Sequence, residues 1–459
     1  MYVGQKGYTV LKTAVAAPDA LRKDLTFAAK SMYLPGPPFY AWRESANKFY
    51  LPRFYGETKF GRTELKLPPG DPIDVPFAGQ LRPAQRPAIA AFLAAGNGLL
   101  ELPCGFGKTI LTLAIVAELR LKTLIVVHKE FLLEQWLERI AEFLPTARVG
   151  RIQGTIMDIS GKDIVIGMLQ SLSMKEYAPN AFSSFGLTVI DETHHIAAEV
   201  FSNALFKIVT PHMLGLSATM ERKDGLSKVF KLFLGEIVYS AQREKVDNML
   251  VHKVEYLSDD EEFCKTVTNF RGHADYAVMI RKLCSFSPRS EFILTVVQHL
   301  LGDARNAQIM VLSQNRALLD YLHAAITHRA IAPVGFYVGG MKIKDLKKTE
   351  DCRIILGTYA MAEEALDIKT LTTLVLATPK TDVTQAVGRI LRVKHEQPLV
   401  VDIVDGHDTF ANQWRKRKTF YGKNGYKIVQ SDSAGYPALL VPQKKINYLH
   451  TLPLQSSVM

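Results

Sequence analysis

LPCGFGKTI, residues 102–110, is the stretch whose reading decides the fold. It joins an apolar run, LLELP at 99–103, to TILTLAIVAEL at 109–119, which reads as a helix. A buried strand that enters a glycine turn and opens a helix with Lys-Thr has the construction of a phosphate loop. Gly105 and Gly107 let backbone N–H groups approach an anion, and the helix start adds its positive dipole end. In this reading Pro103, Cys104, Gly105, Phe106, Gly107, Lys108 and Thr109 surround the nucleotide. Lys108 reaches the β- and γ-phosphates of ATP, and the Thr109 hydroxyl ligates Mg²⁺. The usual first glycine is absent, since Leu102 stands there. Taken alone, the stretch also fits a tight strand-to-helix turn with a chance Lys-Thr.

Its surroundings favour the loop. Outward from it run TLIVVH (123–128), DIVIGM (163–168), LTVID (187–191) and HMLGLSAT (212–219), each a short buried-strand pattern. EFLLEQWLERIAEFL after His128 reads as an amphipathic helix. A second series begins near residue 290: FILTVVQHLL and RALLDYLHAAI as helices, AQIMVLS, VGFYVG, CRIILGTY, TTLVLATP and PLVVDIVD as strands. Strands alternating with helices make an α/β chain with parallel sheets covered on both faces. The expected organisation is an N-terminal accessory domain at 1–75, α/β domains at 76–240 and 290–405, a linker at 241–289, and a basic-aromatic extension at 406–459.

The first 75 residues read as irregular, with PGPPFY at 35–40 and a boundary-like LPPGDPIDVP at 67–76. Within them Phe49, Tyr50, Arg53, Phe54 and Tyr55 are read as a packed core in preference to base-stacking residues. The C-terminal run QWRKRKTFYGKNGYK holds six basic residues and no acid. Arg415 and Arg417 there could contact phosphates while Trp414, Phe420 and Tyr421 stack, or the run could be a solvated helix docked by its aromatics.

The 459 residues carry a formal net charge of +11, which favours polyanionic partners without identifying one. Apolar residues make up 47%, ordinary for a globular chain. Four cysteines, Cys104, Cys264, Cys284 and Cys352, form no C-x-x-C pair and no zinc spacing, so a reducing compartment and no structural metal cluster are expected. No signal peptide and no membrane-spanning run is visible.

Two further motifs supply chemistry. In VIDETHH, 189–195, an apolar strand ends in Asp-Glu. Asp191 can hold Mg²⁺ through its water shell, and Glu192 can orient or deprotonate the attacking water. His194 and His195 have no third ligand nearby, which favours a coupling role for His194 over metal ligation. In QAVGRILR, 385–392, Gln385, Gly388, Arg389 and Arg392 recur at helical spacing. A guanidinium from this second domain can stabilise charge building on the γ-phosphoryl group.

Taken in order, these motifs resemble those of the superfamily 2 helicases over about residues 77–405. LPCGFGKT is similar to motif I, DETH to motif II, LSAT at 216–219 to motif III and QAVGRILR to motif VI. The resemblance implies tandem RecA-like domains. It also implies roles for weaker matches. Arg82 and Gln85 of LRPAQ fall on the adenine side, with Gln85 as base reader. Ser217 and Thr219 couple hydrolysis to grip. His128, Lys129, Gln170, Ser313, Arg316 and Thr358 fall on the nucleic-acid path, and Asp367 at the nucleotide. In GTYAMAEEALDI, 357–368, Ala365 replaces the family glycine, which loosens the assignment of Thr358 and Asp367.

ERKDG at 221–225 and YAVMIRKLCSFSPRSEFI at 276–293 resemble the XPB-like branch, nearest to helicases of large DNA viruses of the poxvirus transcript-release type and to phage UvsW-type helicases. The expected activity is that of an ATP- and Mg²⁺-dependent helicase or translocase. Nucleic acid is the track, DNA ahead of RNA, and the task is transcript release, repair or recombination beside transcription or repair machinery. The alternatives are a duplex translocase without strand separation, an RNA helicase, and a non-cycling scaffold. A viral chain of this kind would work inside the host cell, in a cytoplasmic factory or the nucleus, and could travel in the virion.

Overall fold

A computed structural model of the protein describes residues 1–28, 37–103, 105–192, 198–218, 226–241, 248–303, 308–364, 368–391 and 395–436. The chain divides into two compact units, 1–243 and 244–459.

The first unit begins with short strands: β1 (Tyr2–Gly4), β2 (Gly7–Leu11), β3 (Thr26–Phe27), β4 (Phe39–Tyr40), β5 (Arg43–Glu44) and β6 (Lys48–Leu51). Four of them form an antiparallel sheet in the order β1-β2-β6-β5. This corrects the irregular reading of the first 75 residues: strands of two to five residues are too short to show a period. Tyr8, Phe49, Leu51 and Tyr55 are buried, so the aromatic stretch does build a core. Arg53 pairs with Glu57 and donates to the carbonyl of Pro211, tying this small sheet to the domain that follows.

That domain holds β7 (Asn97–Glu101), β8 (Thr123–Val127), β9 (Val149–Gln153), β10 (Ile156–Met157), β11 (Ile164–Met168), β12 (Leu187–Ile190), β13 (His212–Ser217) and β14 (Ile237–Ser240). Their order is β10-β9-β11-β8-β12-β13-β7-β14, parallel except for the β9–β10 hairpin. Alternate side chains feed two cores: Leu124 and Val126 of β8 join one face, Ile125 and Val127 the other. Helices on both faces explain why these strands are near-continuous apolar runs.

The second unit contains β15 (Leu250–Tyr256), β16 (Ile309–Ser313), β17 (Val334–Tyr337), β18 (Ile354–Thr358), β19 (Thr373–Leu376), β20 (Leu399–Asp405) and β21 (Lys427–Asp432). All seven are parallel, in the order β17-β18-β16-β19-β20-β15-β21. Two expected boundaries are corrected here. The supposed linker 241–289 contributes β15 to the sheet interior, and the supposed extension after 405 contributes the helix Asp408–Lys423 and edge strand β21. His252, Lys253 and Glu255 break the apolar pattern of β15, which is why LVHKVEY did not read as a core strand. Two parallel-sheet domains in tandem are the RecA-like architecture.

Candidate nucleotide site and nucleic-acid-facing loops

The glycine turn read as a phosphate loop sits where parallel strands end. β7 pairs with β13, Glu101 opposite Ser217, and β13 pairs with β12. Residues 105–107, Ser217 and the Asp191-Glu192 pair therefore lie along one sheet edge, the edge at which α/β folds bind ligands. The helix Lys108–Leu119 starts from Gly107, whose φ is 81°, and Gly105 has φ 82°. Both lie in the left-handed region that glycine alone adopts freely. A Cβ on Gly107 would lie 2.6 Å from Gln85 Nε2 and 3.0 Å from Arg82 Nη2.

Those contacts show what Arg82 and Gln85 do. Gln85 is 1% exposed. Its Oε1 accepts from the Arg82 N–H at 2.8 Å, and its Nε2 donates to the carbonyls of Phe106 (3.0 Å) and Gly107 (3.2 Å). Arg82 Nη2 donates to the carbonyls of Gly105 (2.9 Å) and Phe106. Expected as a base reader, Gln85 here commits both amide N–H groups to bracing the loop.

Lys108 Nζ lies 2.8 Å from Glu192 Oε1, a pair largely screened from solvent. Glu192 has φ 49°, an unusual backbone for a residue with a side chain. Beside it, Asp191 is buried, and its carboxyl is raised to about 6. Burial is the main cause and the neighbouring Glu192 charge the second, opposed by Lys108 and by Trp136. Trp136 Nε1 donates to Asp191 Oδ2 at 2.9 Å. Sequence reasoning missed Trp136 as a site residue; its period on the helix Glu130–Phe143 marks it as core, and only the fold aims its N–H at the carboxylate.

The donor set fits a nucleoside triphosphate with Mg²⁺: a glycine turn that a Cβ would fill, a helix N-terminus, an ammonium, and hard oxygens on Thr109 and Asp191. Among the described residues no group of three or more His, Cys, Asp or Glu could hold a metal by itself. No helix among them is long and apolar enough to cross a membrane.

Beyond this centre, His128 and Lys129 follow β8, and Gln170 follows β11, its neighbour in the sheet. Gln170 Nε2 donates to the His128 carbonyl at 3.2 Å, so the structure brings these two motifs together. In the second unit Ser313 and Thr358 end adjacent strands in register. Ser313 is fully buried and donates to the Asn315 carbonyl at 3.0 Å, which corrects its expected contact with nucleic acid. Arg316 is exposed, bonded to Asp320 and seated over the Phe336 ring. Arg389 is buried on the helix Thr384–Ile390, its guanidinium held by the carbonyls of Ala362 and Glu363. Gln385 lies on the same helix.

Arg415 is exposed and reaches Asn412. Arg417 is corrected outright: only 2% exposed, it donates to both oxygens of buried Asp402 at 2.8 Å and to the carbonyl of Lys380. A guanidinium so enclosed is structural. Cys104, His194, His195, Thr219, Asp367 and Arg392 lie outside the described residues.

Comparison with known proteins adds four findings. The family model described as "Type III restriction enzyme, res subunit" matches residues 78–222. A protein of Acanthamoeba polyphaga mimivirus named "Putative ATP-dependent RNA helicase L396" is 34% identical over 446 residues, 92% of this chain and 85% of its own. A protein of African swine fever virus named in the same way, QP509L, is 27% identical over 74% of this chain and 71% of its own. Among solved structures, S. cerevisiae Dbp5 bound to RNA and ADP BeF3 shares the fold at TM-score 0.55 and 12% identity, covering 78% of this chain and 91% of that one.

Proposed function

We propose that this chain, which belongs to the viral superfamily 2 helicases, is a motor that hydrolyses ATP at residues 102–109 and travels along DNA. Membership makes it a nucleic-acid-dependent ATPase with helicase activity. The observation that carries the reading further is the chain of contacts Lys108–Glu192, then Asp191–Trp136, beside the braced glycine turn.

Thr109 and Asp191 would hold Mg²⁺, which neutralises phosphate charge when bound. The protein's own groups do the rest. Amides of the glycine turn and the helix start receive phosphate oxygens. Lys108, bonded to Glu192 in this structure, exchanges that partner for the β- and γ-phosphates. The exchange frees the Glu192 carboxylate to orient an attacking water and accept its proton. Arg82 and Gln85 hold the turn to its shape, so that its amides need no reorganisation. Arg389 and Arg392 are assigned to sensing γ-phosphate charge; for Arg389 this requires release from the Ala362 and Glu363 carbonyls.

DNA as the track is supported by the resemblance of ERKDG and of the segment 276–293 to the XPB-like branch, although the relatives from mimivirus and African swine fever virus carry RNA in their names. The task fitting such a motor in a virus is transcript release, repair or recombination, wherever the host cell handles viral nucleic acid. The test is ATP hydrolysis by the wild-type chain and Lys108→Ala across single-stranded, duplex and forked DNA and RNA. Stimulation by DNA that disappears with Lys108 is expected. Hydrolysis that ignores nucleic acid, or survives the substitution, overturns the proposal, and stimulation by RNA alone overturns the choice of DNA.

A further inference from the structure

Phe270 is 91% exposed, the most exposed large apolar side chain among the described residues. A single exposed leucine needs no explanation, but a phenyl ring left largely in water has given up burial that folding rewards. Its backbone is not loose. Thr268 and Ala274 form an antiparallel bridge. Below it the Asp275 N–H donates to the Val267 carbonyl at 2.9 Å, and above it the Asn269 N–H donates to the His273 carbonyl at 2.7 Å. Asn269 Oδ1 accepts from the N–H groups of Arg271 and His273, and Gly272 takes φ 76° to close the turn. The segment is thus a small hairpin with Phe270 at its apex, and the Arg271 guanidinium lies 5.1 Å from the ring centroid.

The hairpin has a firm base. The Val267 N–H donates to Met279 Sδ, and Lys282 Nζ to the Lys265 carbonyl, both from the helix Tyr276–Ser285. At its foot Tyr276 donates its hydroxyl to the Pro379 carbonyl at 3.2 Å and accepts from Gln314 Nε2 at 3.0 Å. Gln314 directly follows β16, so the hairpin stands at the strand ends from which Arg316 and Thr358 extend. Between residues 265 and 274 the charged side chains are Lys265 and Arg271, with His273 beside them and no carboxylate. Asp275 turns its carboxylate to the Val278 N–H, and Asp260 to that of Phe263, capping helices on either side. Asp259, Glu261 and Glu262 are exposed on the preceding segment.

We infer that Phe270 is a stacking pin: its ring packs against an unpaired nucleobase at a strand junction while Arg271 meets the adjacent phosphate. The inference rests on the nucleic-acid reading above and adds a residue for strand separation to it. A base offers a flat apolar face to an exposed ring, and the Arg271 guanidinium beside it suits the phosphates that flank it. Fixing the hairpin before binding spares the entropy of ordering it at the junction.

Three chains decide it: wild type, Phe270→Ala and Phe270→Trp. On forked DNA, Phe270→Ala should retain nucleic-acid-stimulated ATP hydrolysis within about twofold and lose strand displacement tenfold or more, while Phe270→Trp restores displacement. The added tryptophan should be quenched by single-stranded oligonucleotide beyond the change seen in the wild-type background. Displacement by Phe270→Ala at the wild-type rate overturns the inference, and so does an added indole that oligonucleotide leaves unquenched. A wild-type chain whose ATPase ignores nucleic acid refutes the motor reading instead, and quenching then still decides the pin. Since the ring is exposed, neither substitution disturbs a core, and matched melting of all three chains verifies this.

Discussion

Arg415 and Arg417 stand two residues apart in one basic run, and the structure gives them opposite surroundings. Arg417 Nε and Nη2 donate to Asp402, itself 0% exposed, and Tyr421 donates a third bond to the same carboxylate at 2.9 Å. Arg415 is exposed. Replacing Arg417 by Met keeps the apolar stem and removes the charge, leaving Asp402 buried with Tyr421. Breaking one side of a buried pair costs about 3–5 kcal/mol. For a domain of about 150–250 residues each kcal/mol shifts melting by roughly 2–4 °C, so the second domain's transition should fall by about 6–20 °C. Adding Asp402→Asn, which leaves Tyr421 an acceptor and removes the orphaned charge, should recover much of the loss. Arg415→Ala should leave melting unchanged within about 0.5 kcal/mol. It should instead lower the slope of log affinity against log salt by about 0.7–0.9, one phosphate contact. Scanning calorimetry and salt titration of oligonucleotide binding read the two effects separately. If Arg417→Met melted like the wild type while flattening the salt slope, the buried-pair assignment would be wrong and Arg417 would belong on the phosphate path.

Three other outcomes follow from the described geometry. Trp136→Phe removes a bond to a buried carboxylate worth about 1.5–3 kcal/mol and should slow ATP hydrolysis about tenfold or more, with oligonucleotide affinity unchanged; unchanged turnover would show that the Trp136 N–H does not position Asp191. Gly107→Ala forces a side chain into φ 81° and against Gln85 and Arg82, and should raise the KM for ATP with little change in melting of the second domain; a wild-type KM would refute the braced-turn account. His252 is lowered from 6.5 to about 4 by burial, so the folded domain keeps it neutral while the unfolded chain protonates it below about 6.5. Its contribution is therefore intact at neutral pH and is lost as pH falls from about 6.5 to about 4, by up to about 3 kcal/mol. Denaturant titrations across that range should show the loss in the wild type and a flatter profile in His252→Phe.

Much of the candidate site's local structure was legible because its signals are local. A glycine turn before Lys-Thr states a backbone conformation, and apolar runs such as TLIVV and LTVI state burial on both faces. Strand and helix spacing around residues 99–128 and 307–326 therefore matched the elements found. Where pattern and burial diverge, the reading failed. LVHKVEY hides a core strand because His252 finds Ser431 and a place against Tyr436 that no period reveals. The run of basic residues at 415–418 looks uniform, yet a helix turns successive residues by about a third of a circle and buries one of them on Asp402.

The amino-acid sequence by itself determined the α/β class, the glycine turn that opens a helix at Lys108, the acidic pair that ends a strand at 191–192 and their order, since each depends on residues close together in the chain. Only the tertiary structure decided that Gln85 braces the turn, that Trp136 reaches Asp191 from 55 positions away, that Ser313 and Arg417 face inward, and that Phe270 stands exposed at a hairpin apex. Hydrogen-bond partners and solvent exposure are properties of neighbours in space, and the sheet order that makes residues neighbours is set by packing across the whole domain.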